Sequence, residues 1–557
     1  MKKLLLALTL LLLLPQPALA EKGAVSAADP RAAEAGQHIL RQGGSAADAA
    51  LAMMLALTVV EPQSSGIGGG GFFVYHDAKR GQPATIDGRE TAPAALREDR
   101  FLKLDGTPLP FRDAFLGGHS VGVPGNIALA AKAHEKWGRL PWAQLFAPAI
   151  RLAEQGYVVT PRLAGVIAQM APLWTGLDAT KAIYFENGRP KAAGEVIRNP
   201  ALAKTLRQIA RHGPKAFYQG QIAKEIAAAV SNAPQNPAPL TRADLAGYQA
   251  KERPPVCVLY RIYKLCGMGP PSSGATTVFQ ILGMVERFDL KALGKEDPKA
   301  WHLIAEAMRL AYADRDKYLG DSDFVDVPVA GLLDKNYIAS RSALISETSA
   351  LPRYDAGLPP GAPVRTAAVP GEVSGTTHFV AIDRAGNVAS MTSTVEGPFG
   401  SQLVAAGMVL NNELTDFSFA PSKEGAPVAN RPQAGKRPLS SMAPTIVYDA
   451  AGQPIFVVGA AGGKRIIMQV AKTLIAHLDW GLSAREAIAA PNLWFAGENV
   501  IVESGTFLAD KADKLAGFGR PVLANPIMPS KANAAERTPQ GWVGAADPRS
   551  DGVGLSE

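Results

Sequence analysis

Behind Asp29-Pro30, small or apolar residues recur at Ala33, Gly36, Ile39 and Leu40, a spacing that puts them on one helical face. The aspartate suits a cap and the proline a first turn. Gly43-Gly44-Ser45 ends that helix and caps a second over residues 46–60, where Ala46, Ala49, Ala50 and Ala52 suit close helix packing. Residues 61–71 are glycine-rich and lead into a strand from Phe72 to Tyr75, and residues 84–87 alternate as another strand. Helical periodicity returns over residues 124–153 and 199–230, after the Thr241 cap, and from Asp297-Pro298 through Leu303, Ile304, Ala307, Met308 and Ala311.

Residues 351–375 are rich in Pro, Gly and Ala and read as an exposed connection. The pattern changes at once behind them. Polar and apolar residues alternate over 376–383, Arg384-Ala385-Gly386-Asn387 supplies turn chemistry, and 388–395 alternates again, which predicts a hairpin. Residues 403–410 read as one strand that delivers Glu413 and Asp416 to a following loop. Strands are expected at 445–448 and 454–459, with Gly462-Gly463 between the second of them and a helix.

At 557 residues, 47% apolar and only 19% charged, the chain has the material for a large core or several subdomains. Met1-Lys2-Lys3, the apolar run 4–14 and Pro17-Ala18-Leu19-Ala20 have the three parts of a secretory leader cut after Ala20. That run is too short for a comfortable membrane span, so a periplasmic or secreted protein is expected. Without Lys2 and Lys3 the net charge of +7 falls to +5, and the remaining Lys and Arg are scattered. No nucleic-acid or membrane footprint is visible in them. Cys257 and Cys266 flank a predicted hairpin that turns near Arg261, which sets them opposite one another; a disulfide and a reduced buried pair both fit. His302 and Glu306 are four apart on a helix but have no second His nearby, so no metal site is read.

The candidate chemistry centres on Ser374-Gly375-Thr376-Thr377-His378. A threonine hydroxyl is a weak nucleophile that needs a base, and a free α-amino group on the same residue, with a reference pKa of about 7.7, would supply one. A cut after Gly375 would expose that group at the head of the predicted hairpin. By itself Thr376 also fits an ordinary strand position. Arg89, just past a strand end, suits a carboxylate or an ion pair with Glu90 or Asp87. Glu413 and Asp416 suit an ammonium, and Gly462-Gly463 could present two backbone NH groups to an oxyanion.

Taken together, Glu61-Pro62-Gln63-Ser64-Ser65-Gly66, Arg89-Glu90, Thr376-Thr377-His378, Leu410-Asn411-Asn412, Asp416-Phe417-Ser418, Pro438-Leu439-Ser440-Ser441-Met442 and Gly462-Gly463 resemble the gamma-glutamyltransferases in order and spacing. The likeness reaches Asp547-Pro548-Arg549 near the end of the chain. It implies an α+β fold, the N-terminal-nucleophile hydrolase αββα sandwich, made as a precursor that cuts itself into a large subunit (21–375) and a small one (376–557) that stay together as a heterodimer. By the same resemblance Thr376 is the nucleophile, Thr394 orients its amino group, and Gly462 and Gly463 form the oxyanion hole. Arg89, Ser440 and Ser441 would hold the donor carboxylate, and Glu396, Glu413 and Asp416 its ammonium.

The implied donors are γ-glutamyl compounds such as glutathione, the acceptors are water, amino acids or dipeptides, and no cofactor is called for. Two departures matter: Glu396 and Glu413 stand where some members carry Asn and Gln, and residues 418–436 lack the Tyr or Trp of an aromatic lid. An open site favours hydrolysis over transfer and keeps a glutaryl or cephalosporin acylase as the nearest rival. An inactive binding protein outside the cytoplasm is the alternative from another class.

Overall fold

The computed structural model describes residues 22–367, 375–525 and 531–557; the leader read at 1–20 and Ser374 lie outside the described residues. Two antiparallel sheets form the centre. The seven-stranded sheet runs in the order Val553–Ser556, Ala24–Ala27, Thr377–Ile382, Val388–Thr394, Gly70–Asp77, Gln82–Gly88, Lys251–Arg253. The six-stranded sheet runs Gly541–Ala546, Asn533–Thr538, Pro454–Gly459, Thr445–Tyr448, Tyr263–Gly267, Val256–Tyr260.

Strand alternation builds the layers. Phe73, Tyr75, Phe379 and Ala381 point into a core shared with the helices Pro30–Arg41 and Ala46–Val60. Their neighbours Phe72, Val74, Val380 and Ile382 join a second core with Ile446, Val447, Val457 and the helices Gly274–Val285, Pro298–Tyr318 and Arg465–Leu478. This is the expected αββα sandwich. The Ala46–Val60 helix is buried on every side, which its alanines permit, and begins with a capping box between Ser45 and Asp48. Asp29, Thr241 and Asp297 cap their helices as expected. Among the described residues no helix is long and apolar enough to cross a membrane.

The glycine-rich loop after Val60 is a place of close backbone approach. A Cβ on Gly68 would overlap the Val409 carbonyl, and one on Gly69 the Thr394 carbonyl, so only glycine fits between these strands. Residues 403–410 differ from expectation. They form a two-residue hairpin, Val404–Ala405 against Met408–Val409, turned by Ala406 (φ +49°) and Gly407 (φ +80°). Two left-handed residues in succession reverse the chain where alternation alone reads as one strand. Cys257 and Cys266 sit directly across the Val256–Tyr260 and Tyr263–Gly267 hairpin and are joined in a disulfide. Residues 351–367 contain no helix or strand.

Candidate active site

Thr377 pairs with Ser393, so the register sets Thr376 opposite Thr394 at the mouth of the central hairpin. The Thr376 hydroxyl donates to the carbonyl oxygen of Gly375 and lies 3.2 Å from Thr394 Oγ1, which itself reaches that carbonyl at 3.4 Å. A Cβ on Gly375 would overlap the Glu396 carbonyl, so this close approach depends on glycine. The Glu396 N–H donates to Thr394 Oγ1 at 2.7 Å, from a backbone held at φ +75°. A non-glycine residue there is strained and is kept in place by its surroundings. One such support is Asn412, whose side chain donates to the Glu396 carboxylate and accepts from Gly397 N at 2.8 Å. The motif Asn411-Asn412 was visible in the sequence; this role for it was not.

Arg89 leaves the Gln82–Gly88 strand with its backbone N–H bound by Asp87 at 2.8 Å and its carbonyl by Tyr248 and Arg437. Its guanidinium donates from Nη1 to Glu413, from Nη2 to Asp416 and to Leu439 O at 2.9 Å, and from Nε to Pro438 O at 3.1 Å. Most of its hydrogen-bonding capacity is therefore spent within the protein. Glu413 and Asp416 arrive on a single 3-10 turn, Glu413–Asp416, rather than on an open loop.

Glu90 stands behind this group, with Oε2 4.0 Å from Arg89 Nη1. Both Glu90 and Glu413 are buried, and burial raises each carboxyl against the pull of Arg89, Glu413 well above the usual range and Glu90 up to about 7. From the ordinary value of 4.5 up to about 7, the folded chain keeps a proton on Glu90 that the unfolded chain has released. The contribution of this group to stability is therefore complete below the unfolded value and is lost as the pH rises through the folded one. Replacing Glu90 by Gln is expected to flatten that fall in equilibrium unfolding measured across this window, and an unchanged slope would place the titration elsewhere.

Arg89, Gly375, Thr376, Thr394, Glu396, Glu413, Asp416, Ser440, Ser441 and Gly463 all line one cavity. Gly462 lines a second cavity that also touches Gly375 and Thr376, beside Gln63, Ser64 and Lys531. The two glycines, at φ +138° and +59°, thus each share a cavity lining with Thr376, just ahead of the Arg465–Leu478 helix. No residue of 418–436 lines the first cavity, and Phe419 in that segment stacks on Phe101, 4.7 Å between centroids. His302 stacks on Phe518 and bonds Ser346 O, and among the described residues no cluster of His, Cys, Asp and Glu is arranged for a metal.

The sequence model described as Gamma-glutamyltranspeptidase matches residues 32–556. A glutathione hydrolase proenzyme of Escherichia coli (strain K12) is 37% identical over 548 residues, covering 96% of this chain and 91% of that protein. One from Bacillus subtilis (strain 168) is 36% identical over 514 residues, covering 91% and 86%. Among solved structures, a cephalosporin acylase from Bacillus halodurans superposes with a TM-score of 0.85 at 30% identity, covering 97% of this chain and 98% of that one. A match running through both sheets and every wall of the cavity leaves one assignment: the chain belongs to the gamma-glutamyltranspeptidase family.

Proposed function

We propose that this protein cuts itself between Gly375 and Thr376 and then removes γ-glutamyl groups from glutathione and related amides through a threonine ester. What carries the reading is the Thr376 hydroxyl, set against the carbonyl of Gly375 with Thr394 touching both. In the first reaction Thr376 Oγ1 adds to the Gly375 carbonyl carbon, the C–N bond breaks, and the proton lost from the hydroxyl ends on the departing amine. Water then hydrolyses the Gly375 ester, leaving Thr376 with a free hydroxyl and a free α-amino base.

The products are a large subunit of 21–375 and a small one of 376–557. They remain a heterodimer, because Ala24–Ala27 lies between Thr377–Ile382 and Val553–Ser556 in one sheet, and Gly70–Asp77 pairs with Val388–Thr394. Tyr263–Gly267 likewise pairs with Thr445–Tyr448 in the six-stranded sheet, so separating them would break both sheets. With the leader read at 1–20, the mature enzyme works in the periplasm or outside the cell.

In turnover the same hydroxyl attacks the γ-carbonyl of the donor, the amine leaves, and water or an amino-acid or dipeptide acceptor takes the γ-glutamyl group. The NH groups of Gly462 and Gly463 receive the oxyanion, a contribution of roughly 3 kcal/mol per donor in acyl transfer. The donor ammonium meets Asp416, Glu396 and Glu413, while Ser440, Ser441 and what remains of the Arg89 fork take the carboxylate. A cavity without a wall from 418–436 favours water as acceptor.

The likeness to a cephalosporin acylase supports a second reading, in which the acyl group is glutaryl and has no ammonium. Comparing γ-glutamyl and glutaryl 4-nitroanilides separates the two. The first reading expects kcat/KM to favour γ-glutamyl by about 10-fold or more, the worth of one charge-assisted hydrogen bond. Equal or reversed preference favours the acylase, and no turnover of either leaves a binding protein.

A further inference from the structure

The wall of the cavity that faces the donor carboxylate is held from behind by a cation that does not itself line the cavity. Arg315, on the Pro298–Tyr318 helix, has a side chain only 1% exposed. Its Nη2 donates to Ser441 Oγ at 2.7 Å, its Nε to Ser273 Oγ at 2.9 Å and its Nη1 to Asp316 Oδ1 at 2.8 Å. Ser273 continues the support, since its hydroxyl and its backbone N–H each donate to Ser440 O at 2.7 Å. Both cavity serines are thus fixed by residues from the other side of the Gly375–Thr376 bond.

Hydrogen-bond chemistry gives the arrangement a direction. A guanidinium can only donate, so Ser441 Oγ accepts from Arg315, and its own hydrogen must point away from the cation. A hydroxyl that accepts from a cation is also polarised into a better donor. The opposite wall has the reverse character. There one guanidinium, Arg89, faces the carboxyl groups of Glu413, Asp416 and Glu90, and Glu396 lines the same cavity. A site with that balance favours an ammonium over a carboxylate, so binding of a carboxylate depends on the hydroxyl donors of the serine wall.

We infer that Arg315 is the positioning residue that admits an acyl donor bearing an α-carboxylate, by holding and polarising Ser441. The inference rests on the acyl-transfer reading above and names what that site selects. Replacing Arg315 by Met is expected to raise KM for γ-glutamyl 4-nitroanilide by about 10-fold to 100-fold while kcat stays within about threefold, the loss of one charge-assisted contact made in the ground state.

The discriminating measurement is a selectivity. 4-Aminobutanoyl 4-nitroanilide has the same ammonium and chain but no carboxylate, so the preference for γ-glutamyl over it should fall by the same factor as KM rises. The same ratio is read from competitive inhibition by L-glutamate and 4-aminobutanoate, and both ratios are independent of how much of a preparation is folded. Arg315→Gln, which keeps donors but not charge, gives the second variant if Arg315→Met does not fold, and should shift the ratio the same way. If kcat/KM falls equally for both acyl groups, or the inhibition ratio is unchanged, Arg315 is a structural residue and the inference fails. A wild-type enzyme that does not turn over γ-glutamyl anilide would instead overturn the acyl-transfer reading itself.

Discussion

Thr376→Ala is expected to run as one band on a denaturing gel where the wild-type protein runs as two, and to lose activity on γ-glutamyl 4-nitroanilide by about 10⁴-fold or more. Both effects come from one atom. Thr376 Oγ1 is the hydroxyl set against the Gly375 carbonyl, and the same oxygen would carry the acyl group in turnover. Ser440 and Ser441 also place hydroxyls in the cavity, but one accepts from Met442 N at 3.2 Å and the other from Arg315, and neither would carry an α-amino base. Thr376→Ser keeps the oxygen and loses only the methyl group. It should still give two bands, with reduced activity. Two bands from Thr376→Ala, or activity within about a hundredfold of wild type, would refute the assignment.

Arg89→Met should be the most damaging change that leaves Thr376 intact. The guanidinium is 1% exposed and is in direct contact with Glu413 and Asp416, so its removal leaves buried carboxylates without their counter-charge. Breaking a buried pair from one side costs about 3–5 kcal/mol, and the same step removes the geometry of the wall proposed to meet the donor ammonium. We expect a matching loss of unfolding free energy in urea, together with activity near the detection limit. Arg89→Lys should recover little, because a single ammonium cannot reach Glu413, Asp416, Pro438 O and Leu439 O as the planar fork does. Adding Glu413→Gln to Arg89→Met should restore part of the stability and none of the activity. An Arg89→Met protein within about 1 kcal/mol of wild type would mean that the carboxyls are neutral without Arg89.

Much of the scaffold was legible because its signals are local. Ser45 and the alanines behind it mark the buried helix, the alternation on either side of Gly386-Asn387 marks the central hairpin, and the ten-residue span from Cys257 to Cys266 sets two sulfurs face to face. Each depends on residues that are neighbours along the chain, where backbone geometry alone decides what faces what. The same locality misled at 403–410, since nothing in the alternation shows that Ala406 takes a left-handed conformation.

The residue types of the site were also open to reading: a threonine behind a glycine, an arginine past a strand end, paired acids, paired serines, paired glycines. The fold alone decided their partners. Arg89 and Glu413 are 324 positions apart, and Arg315 and Ser441 are 126 apart. Whether a buried arginine spends its hydrogens on the protein or keeps them for a substrate depends on which carboxylates and carbonyls the packed layers bring within about 3 Å. Glu90 became a group that titrates near neutrality, and Asn412 and Arg315 became supports, only through burial and contact. Desolvation and hydrogen bonding are properties of the assembled interior, and no spacing along the chain encodes them.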